Sequence, residues 1–239
     1  MARALLGEDH TPPPSSLNAA ARNGHAKIVA LLLSKGAEID RETVWAASAS
    51  QSIPVFQALL DTGWDPNWTL SHAGSALTRA VINDNLALVD FLLEHGSDPT
   101  EAECIQTHSM LATAAIFAST GVVGRLLAHG LPVKQSGALE AAAYYGKSEM
   151  IEYLLDHGAD VDEIADNDWT SASEREAGLG SALHSAAIRG QKEAVHLLLE
   201  RGADSALQDT KGKTAMQKTS ENGHSEIVEL LRRQGVTVI

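Results

Sequence analysis

Apolar and polar positions along this chain follow one phrase that occurs seven times. Each copy has two adjacent leucines followed a few residues later by glycine, in the segments LLLSKG, ALLDTG, FLLEHG, RLLAHG, YLLDHG, LLLERG and ELLRRQG. Upstream of each copy lies a second short apolar segment in which alanine is frequent. Apolar residues three and four positions apart share one face of an α-helix, so each pair of segments predicts two short helices. One such hairpin cannot bury both of its faces, and the repetition therefore predicts a stack of helical hairpins.

The predicted helix ends carry residues that satisfy free backbone groups. We call the first helix of each hairpin the inner helix and the second the outer helix. Ser75, Ser109, Ser181 and Thr214 each precede an inner segment, where their side-chain oxygens are predicted to accept hydrogen bonds from backbone N–H groups. The glycine after each leucine pair supplies the left-handed conformation that ends the outer helix. Leu154, on the apolar face of the fifth outer helix, is predicted to be a core residue.

The sixth hairpin carries the repeated phrase most clearly. Residues 181–190 read SALHSAAIRG, and residues 194–204 read AVHLLLERGAD. This resembles the ankyrin-repeat family, whose motif runs T-P-L-H-x-A-A-x-x-G-H, then a valine-leucine helix, then G-A-D. Three intervals between closing glycines lie at or beside the ankyrin period of about 33 residues. The resemblance covers about residues 15 to 239 and implies an all-α ankyrin-repeat solenoid of seven stacked hairpins joined by β-turn fingers.

The spacing of the closing glycines is irregular at three places. The intervals that end at Gly63 and Gly158 are short, which predicts stunted fingers in repeats two and five. The interval that ends at Gly202 is long, and its excess falls in residues 161–178, an acidic segment that contains Trp169. A long finger of this kind is either a lid over a binding site or a tolerated insertion.

Residues 1–14 precede the first repeat. The sequence Leu5-Leu6-Gly7 is similar to the end of an outer helix, so this segment is either a remnant of a preceding repeat or an N-terminal cap. The prolines at positions 12, 13 and 14 predict an extended linker in either case.

The resemblance also implies where a partner binds. In the ankyrin family, the two residues after the alanine pair of each inner helix line a concave groove together with the fingers. Each of repeats three to six places at least one apolar or aromatic residue at these positions, whereas the ends of the chain are polar there, which is typical of a binding surface. The alternative is that these side chains pack back onto neighbouring helices as additional core. The predicted binding residues are Ile82, Ile116, Phe117, Tyr144, Tyr145, Ile188 and Arg189.

Aromatic and histidine residues in the fingers are candidates for the upper wall of the same groove. The alternative for them is packing between neighbouring fingers. The candidates are Trp68, His72, His108 and Trp169.

Two titratable residues occupy the histidine position of the motif. His184 is the histidine itself, for which the resemblance implies hydrogen bonds to loop backbone and a structural role. Glu140 takes this position in repeat five, where it either bonds finger amides or is a partly buried acid with an altered proton affinity. If the groove is an active site, Glu140, Tyr144, Tyr145 and His184 are its candidate acid and base groups.

Composition narrows the classes of partner. The chain has 18 Lys+Arg against 31 Asp+Glu, and its formal net charge of -13 disfavours nucleic acid and anionic lipid surfaces. It has no apolar run long enough to span a membrane. A single cysteine, Cys104, and a start without a signal-peptide core indicate an intracellular protein. There is no glycine-rich phosphate loop, H-E-x-x-H motif or cysteine pair, so we expect no cofactor and no metal.

These patterns favour a binding module that recognises a protein or peptide through the groove of repeats three to six. The alternative is an enzyme with a small-molecule pocket in the same groove, closed by the finger at 161–178. The two hypotheses differ in closure, because a protein-binding groove is open, whereas an enzyme needs a recess that excludes water.

Overall fold

A computed structural model describes residues 12–69, 74–100, 109–166 and 172–234. The chain divides into two compact units, Met1–Ile105 and Gln106–Ile239, and both consist of helical hairpins. The helices of the first unit are α1 (Pro14–Arg22), α2 (Ala26–Ser34), α3 (Arg41–Ser50), α4 (Ile53–Leu60), α5 (Ala76–Ile82) and α6 (Leu86–Glu94). Those of the second unit are α7 (Met110–Phe117), α8 (Thr120–Ala128), α9 (Ala138–Tyr144), α10 (Ser148–Asp156), α11 (Ala172–Ala177), α12 (Ala182–Ile188), α13 (Lys192–Glu200), α14 (Ala215–Glu221) and α15 (Ser225–Gln234).

The first unit stacks its inner helices in chain order. Helix α3 packs between α1 and α5, and the outer helix α2 packs on α4. Leu17, Val44 and Leu77 are fully buried on the three inner helices, and Val29 and Leu59 are fully buried on the outer ones. The stack of hairpins predicted from the repeated phrase is therefore present in this unit.

The second unit repeats the arrangement over four hairpins. Its inner helices pack in the order α7, α9, α12 and α14, and its outer helices in the order α8, α10, α13 and α15. Leu111 and Leu183 are buried on inner helices, and Leu126 and Leu198 on outer helices. Leu154 is fully buried on α10, which confirms its predicted place in the core.

Polar side chains begin the inner helices as the sequence predicts. The Ser75 hydroxyl accepts a hydrogen bond from Thr78 N at 3.2 Å, and the Ser109 hydroxyl accepts one from Ala112 N at 3.0 Å. Thr214 caps α14 in the same way. The cap of α3, Asp40, accepts from Thr43 N at 2.8 Å, although it lies outside the Ser/Thr pattern. Helices α3, α5, α7 and α14 thus begin with a side chain that satisfies a free backbone N–H group.

The proline run differs from the prediction of an extended linker. Pro14 is the first residue of α1, and Pro13 is its N-cap in an extended conformation. Proline suits the first helical position because it lacks the N–H group that has no partner there, and its fixed φ already matches the helix.

Outer helices end at the predicted glycines. Among the described residues, φ at these closing glycines lies between 84°, at Gly36, and 94°, at Gly96, a range in which other residues are strained. Just before three of these glycines, the histidines at 95, 129 and 157 donate from Nδ1 to the carbonyl four residues earlier, at 2.7 to 2.9 Å. These histidines close the last turn of their helices.

The fingers connect one hairpin to the next. Only residues 35–40 separate α2 from α3, which is a stunted finger. The finger before α14 has a short antiparallel bridge between Gln208 and Thr214. It is organised by Asp209, whose buried carboxylate accepts from Lys211 N and Lys213 N and pairs with Lys218 Nζ at 2.6 Å. No helix in the described ranges is long and apolar enough to cross a membrane.

Candidate functional site

The inner helices of the second unit end in a group of exposed side chains, which we call the aromatic surface. Helix α9 packs between α7 and α12, so the C-terminal ends of these three helices are neighbours. Phe117 and Tyr145 are each 51% exposed and Tyr144 is 37% exposed. Ile188 is half-buried and Arg189 is exposed. The aromatic surface comprises Phe117, Tyr144, Tyr145, Ile188 and Arg189.

The rings of the aromatic surface are ordered by contacts with one another. Tyr144 and Tyr145 pack edge to face, with ring centroids 5.2 Å apart and an interplanar angle of 67°. The guanidinium carbon of Arg189 lies 4.6 Å from the centroid of Tyr144. Both geometries are attractive for an aromatic quadrupole. A ligand that binds here therefore meets rings whose positions are already restricted, which lowers the entropy lost on binding.

Hydrogen bonds from side chains to backbone carbonyls fix the helix ends that carry these rings. Gln191 Nε2 donates to the carbonyl of Tyr144 at 3.1 Å, and His224 Nε2 donates to the carbonyl of Ile188 at 3.0 Å. Gly146 allows this approach, because a Cβ there would lie 2.5 Å from the side-chain oxygen of Gln191. Sequence reasoning missed Gln191. The signal was its place after the turn glycine, where the ankyrin motif and repeat seven have histidine.

One predicted binding residue, Ile116, is placed differently by the structure. Ile116 is only 8% exposed on α7 and lies in the core, so its prediction as a solvent-facing residue is wrong. Its neighbour Phe117, at the end of the helix, is turned outward instead. Ile82 is half-buried at the end of α5 and belongs to the first unit.

The architecture and the sequence both match known proteins. Family models described as "Ankyrin repeats (3 copies)" and "Ankyrin repeat" match residues 17–103 and 164–238, and residues 137–167. The chain belongs to the ankyrin-repeat family. A crystal structure of the human ASB11 ankyrin repeat domain is similar to it, with a TM-score of 0.71, 21% sequence identity, and coverage of 90% of this chain and 96% of that chain. The comparison with curated proteins found no match. Ankyrin repeats generally act as protein–protein interaction modules.

The ankyrin histidine position is structural in repeat six. His184 is buried, its Nδ1 accepts from Ser181 N at 3.2 Å, and its Nε2 donates to the carbonyl of Lys213 at 3.1 Å. Burial lowers the pKa of the ring, although the bond to Lys213 opposes this shift. Both ring nitrogens of His184 are therefore engaged by backbone groups of this repeat and the following finger.

Glu140 combines the two alternatives that the ankyrin motif leaves open. Its Oε1 accepts from the backbone N–H of Ala165 in the long finger at 3.2 Å. Burial raises the pKa of this carboxyl to about 7, and the nearby charge of Glu163 adds to the rise, against the opposing backbone hydrogen bonds. Glu140 thus binds a finger amide and is also an acid with an altered proton affinity.

The long ankyrin finger at 161–178 is tied to the fingers on both sides. Glu163 accepts from Gln135 N at 2.8 Å and Gln135 Nε2 at 3.0 Å. At the other end, Leu179 N donates to Thr210 Oγ1 at 2.8 Å. The described parts of this finger are therefore anchored at its base. Trp169 lies outside the described residues.

Of the remaining finger candidates, the structure describes Trp68. Trp68 lines a recess in the first unit, beside residues from the C-terminal ends of α2 and α4. No inner-helix residue of that unit is among the described residues that line this recess. His72 and His108 lie outside the described residues.

Proposed function

We propose that this chain is a binding module that recognises a protein or peptide partner through the inner-helix ends of repeats three to six. The aromatic surface comprises the helix ends that lie in the second unit, and the proposal is argued from it. The observation that carries the proposal is the exposure of Phe117, Tyr144 and Tyr145 on two neighbouring helix ends, those of α7 and α9. Tyrosine and arginine are enriched among the residues that dominate binding energy in protein interfaces.

The contacts of the titratable residues favour binding over catalysis. An enzyme in this groove needs acid and base groups that are free to exchange protons with a substrate. His184 has backbone partners at both ring nitrogens, and the Glu140 carboxylate accepts from the finger. These groups support the repeat architecture, whereas the tyrosines and Arg189 face outward.

The experiment is a selection of peptides from a random displayed library on the purified full chain. Affinities of the selected peptides are then measured for the wild type and for the double variant Tyr144→Ala/Tyr145→Ala. If the pair forms the centre of the site, the double variant loses about 2 kcal/mol or more, which is about 30-fold in affinity. Circular dichroism should show unchanged helicity, because both side chains are exposed.

Tyr153→Ala is the matched control. Tyr153 lies on the outer helix α10, where it stacks on His157 with ring centroids 4.0 Å apart. Its removal should leave peptide affinity unchanged. Equal binding of the selected peptides to the wild type and the double variant would contradict the proposed site.

A further inference from the structure

A recess in the first unit contains two tryptophans and two acids. It has a volume of about 480 Å³, within the range of small-ligand pockets, and lies at the C-terminal ends of α2 and α4. Leu33 and Ile39 supply apolar walls, Trp64 and Trp68 supply aromatic ones, and Glu38 and Asp65 supply carboxylates. None of the described residues that line it is cationic.

The carboxylates of the recess have no counterion among the residues that the structure describes. Glu38 and Asp65 are both exposed, and Glu38 has no ion-pair partner in the part of the chain that the structure describes. Asp65 Oδ1 accepts from Asn67 N at 2.9 Å, which leaves Oδ2 without a partner among the described residues. Carboxylates beside aromatic faces attract an organic cation through both charge and the ring quadrupole.

A buried donor lies in the same wall. Trp64 is 5% exposed and packs against Phe56, with ring centroids 5.7 Å apart. Its indole N–H is buried and has no hydrogen-bond acceptor within the described ranges. Because this N–H is closed to solvent, Trp64 supplies ring surface to the recess and not a hydrogen bond.

The turn that presents Trp68 is fixed before any ligand arrives. Trp68 N donates to the carbonyl of Asp65 at 3.1 Å, which closes the turn. Asn67 then joins this turn to the next repeat, since its Nδ2 donates to Gly96 O at 2.9 Å and its Oδ1 accepts from Asp98 N at 2.7 Å. The recess is therefore preorganised.

We propose that this recess binds the side chain of a lysine or arginine residue in a partner peptide. Such a residue has an aliphatic stem that can contact Leu33 and Ile39, and a cationic head for the carboxylates and the Trp68 ring. The recess lies in the first unit and contains no residue of the aromatic surface. This proposal therefore stands or falls independently of the proposed function.

The test uses capped amino acids as probes on the full chain. N-acetyl-lysine methylamide and N-acetyl-arginine methylamide carry the cation, and N-acetyl-norleucine methylamide has a similar stem without charge. Two-dimensional ¹H–¹⁵N NMR follows the indole N–H signals, which single Trp→Phe substitutions assign. We expect saturable shifts of the Trp64 and Trp68 signals with the two cationic probes, weaker or absent shifts with norleucine, and an unmoved Trp45 signal.

Variants separate the charge from the rings. Glu38→Gln and Asp65→Asn should each lower the affinity for the lysine probe by about twofold to fivefold, because each variant removes one exposed charge contact. Asp65→Asn retains a side-chain oxygen that can accept the hydrogen bond from Asn67 N. Trp68→Leu keeps an apolar wall without the π system and should weaken binding at least about fivefold. Glu94→Gln, an exposed acid at the end of α6, is the matched control.

The remaining outcomes overturn the proposal. These are equal shifts with norleucine, no indole shift with any probe, and unchanged affinity in both charge variants. The backbone NMR spectrum of each variant checks that the fold is retained, so a loss of binding is not a loss of structure.

Discussion

The two units build the same hairpins but place their large aromatic residues differently. In the first unit, Trp64 is buried against Phe56 at the end of an outer helix, and Trp68 lines the recess beside it. In the second unit, Tyr144 and Tyr145 end an inner helix and are exposed. The repeat scaffold fixes the backbone in both, so a few positions decide whether an aromatic side chain stabilises the fold or faces a partner.

The comparison is tested most strongly by removing one aromatic side chain from each unit. Trp64→Ala should lower the free energy of unfolding by about 3 to 5 kcal/mol, because it empties a buried site. Tyr145→Ala should lower it by about 0.5 kcal/mol or less, because half of that ring is already in water. Urea denaturation followed by circular dichroism measures both, and similar costs for the two variants would refute the distinction.

Ile116 and Phe117 allow the same comparison between a buried and an exposed side chain within the second unit. Ile116→Ala should cost about 2 to 5 kcal/mol from transfer and cavity terms, since the side chain is in the core of α7. Phe117→Ala should cost about 1 kcal/mol or less, although it removes the larger side chain. The same urea experiment decides this. A larger loss of unfolding free energy in Phe117→Ala than in Ile116→Ala would contradict the burial of Ile116 and the exposure of Phe117.

The buried acid of the second unit should make the stability of the protein depend on pH. The pKa of Glu140 is raised by burial to about 7, so the folded state binds more protons than the unfolded state between pH 4.5 and about 7. The wild type should therefore lose stability as pH rises through this window. Glu140→Gln has no carboxyl to ionise and so avoids this loss. As pH rises from 4.5 to 8, the free energy of unfolding of this variant should therefore increase by about 1 to 3 kcal/mol relative to that of the wild type.

Glu38→Gln is the control for this prediction, because Glu38 is exposed at the recess. Thermal or urea unfolding at pH 4.5 and 8 measures the stability of each variant relative to the wild type, and a pH-independent effect of Glu140→Gln would show that folding does not raise the pKa of this carboxyl.

The sequence predicts the fold well because the fold depends on a local pattern. Leucine pairs, Ser75 and Ser109 caps, and closing glycines each act within one hairpin, and each is found where predicted. Side-chain exposure is harder to predict. Ile116 and Phe117 are adjacent apolar residues at a helix end, and only the packing of neighbouring helices decides which of them is buried.

Contacts between repeats were also beyond the sequence pattern. Gln191 and Tyr144 are far apart in the sequence, as are Asn67 and Gly96. Each pair forms its hydrogen bond only because the hairpins are stacked. The cluster of Trp64, Asp65 and Trp68 stands out in the sequence, but its partners Leu33 and Glu38 come from the preceding repeat. A sequence pattern therefore marks such residues without locating their site.

The most direct test of the account is fluorine NMR of the three tyrosines. The full chain labelled with 3-fluorotyrosine gives one signal each for Tyr144, Tyr145 and Tyr153, assigned by single Tyr→Phe substitutions. On titration with a peptide selected on the wild type, we expect the Tyr144 and Tyr145 signals to shift with one shared dissociation constant. The signal of Tyr153, on the outer helix, should not shift. A shift of Tyr153 alone, or no shift of the adjacent pair at saturating peptide, would contradict binding through the aromatic surface.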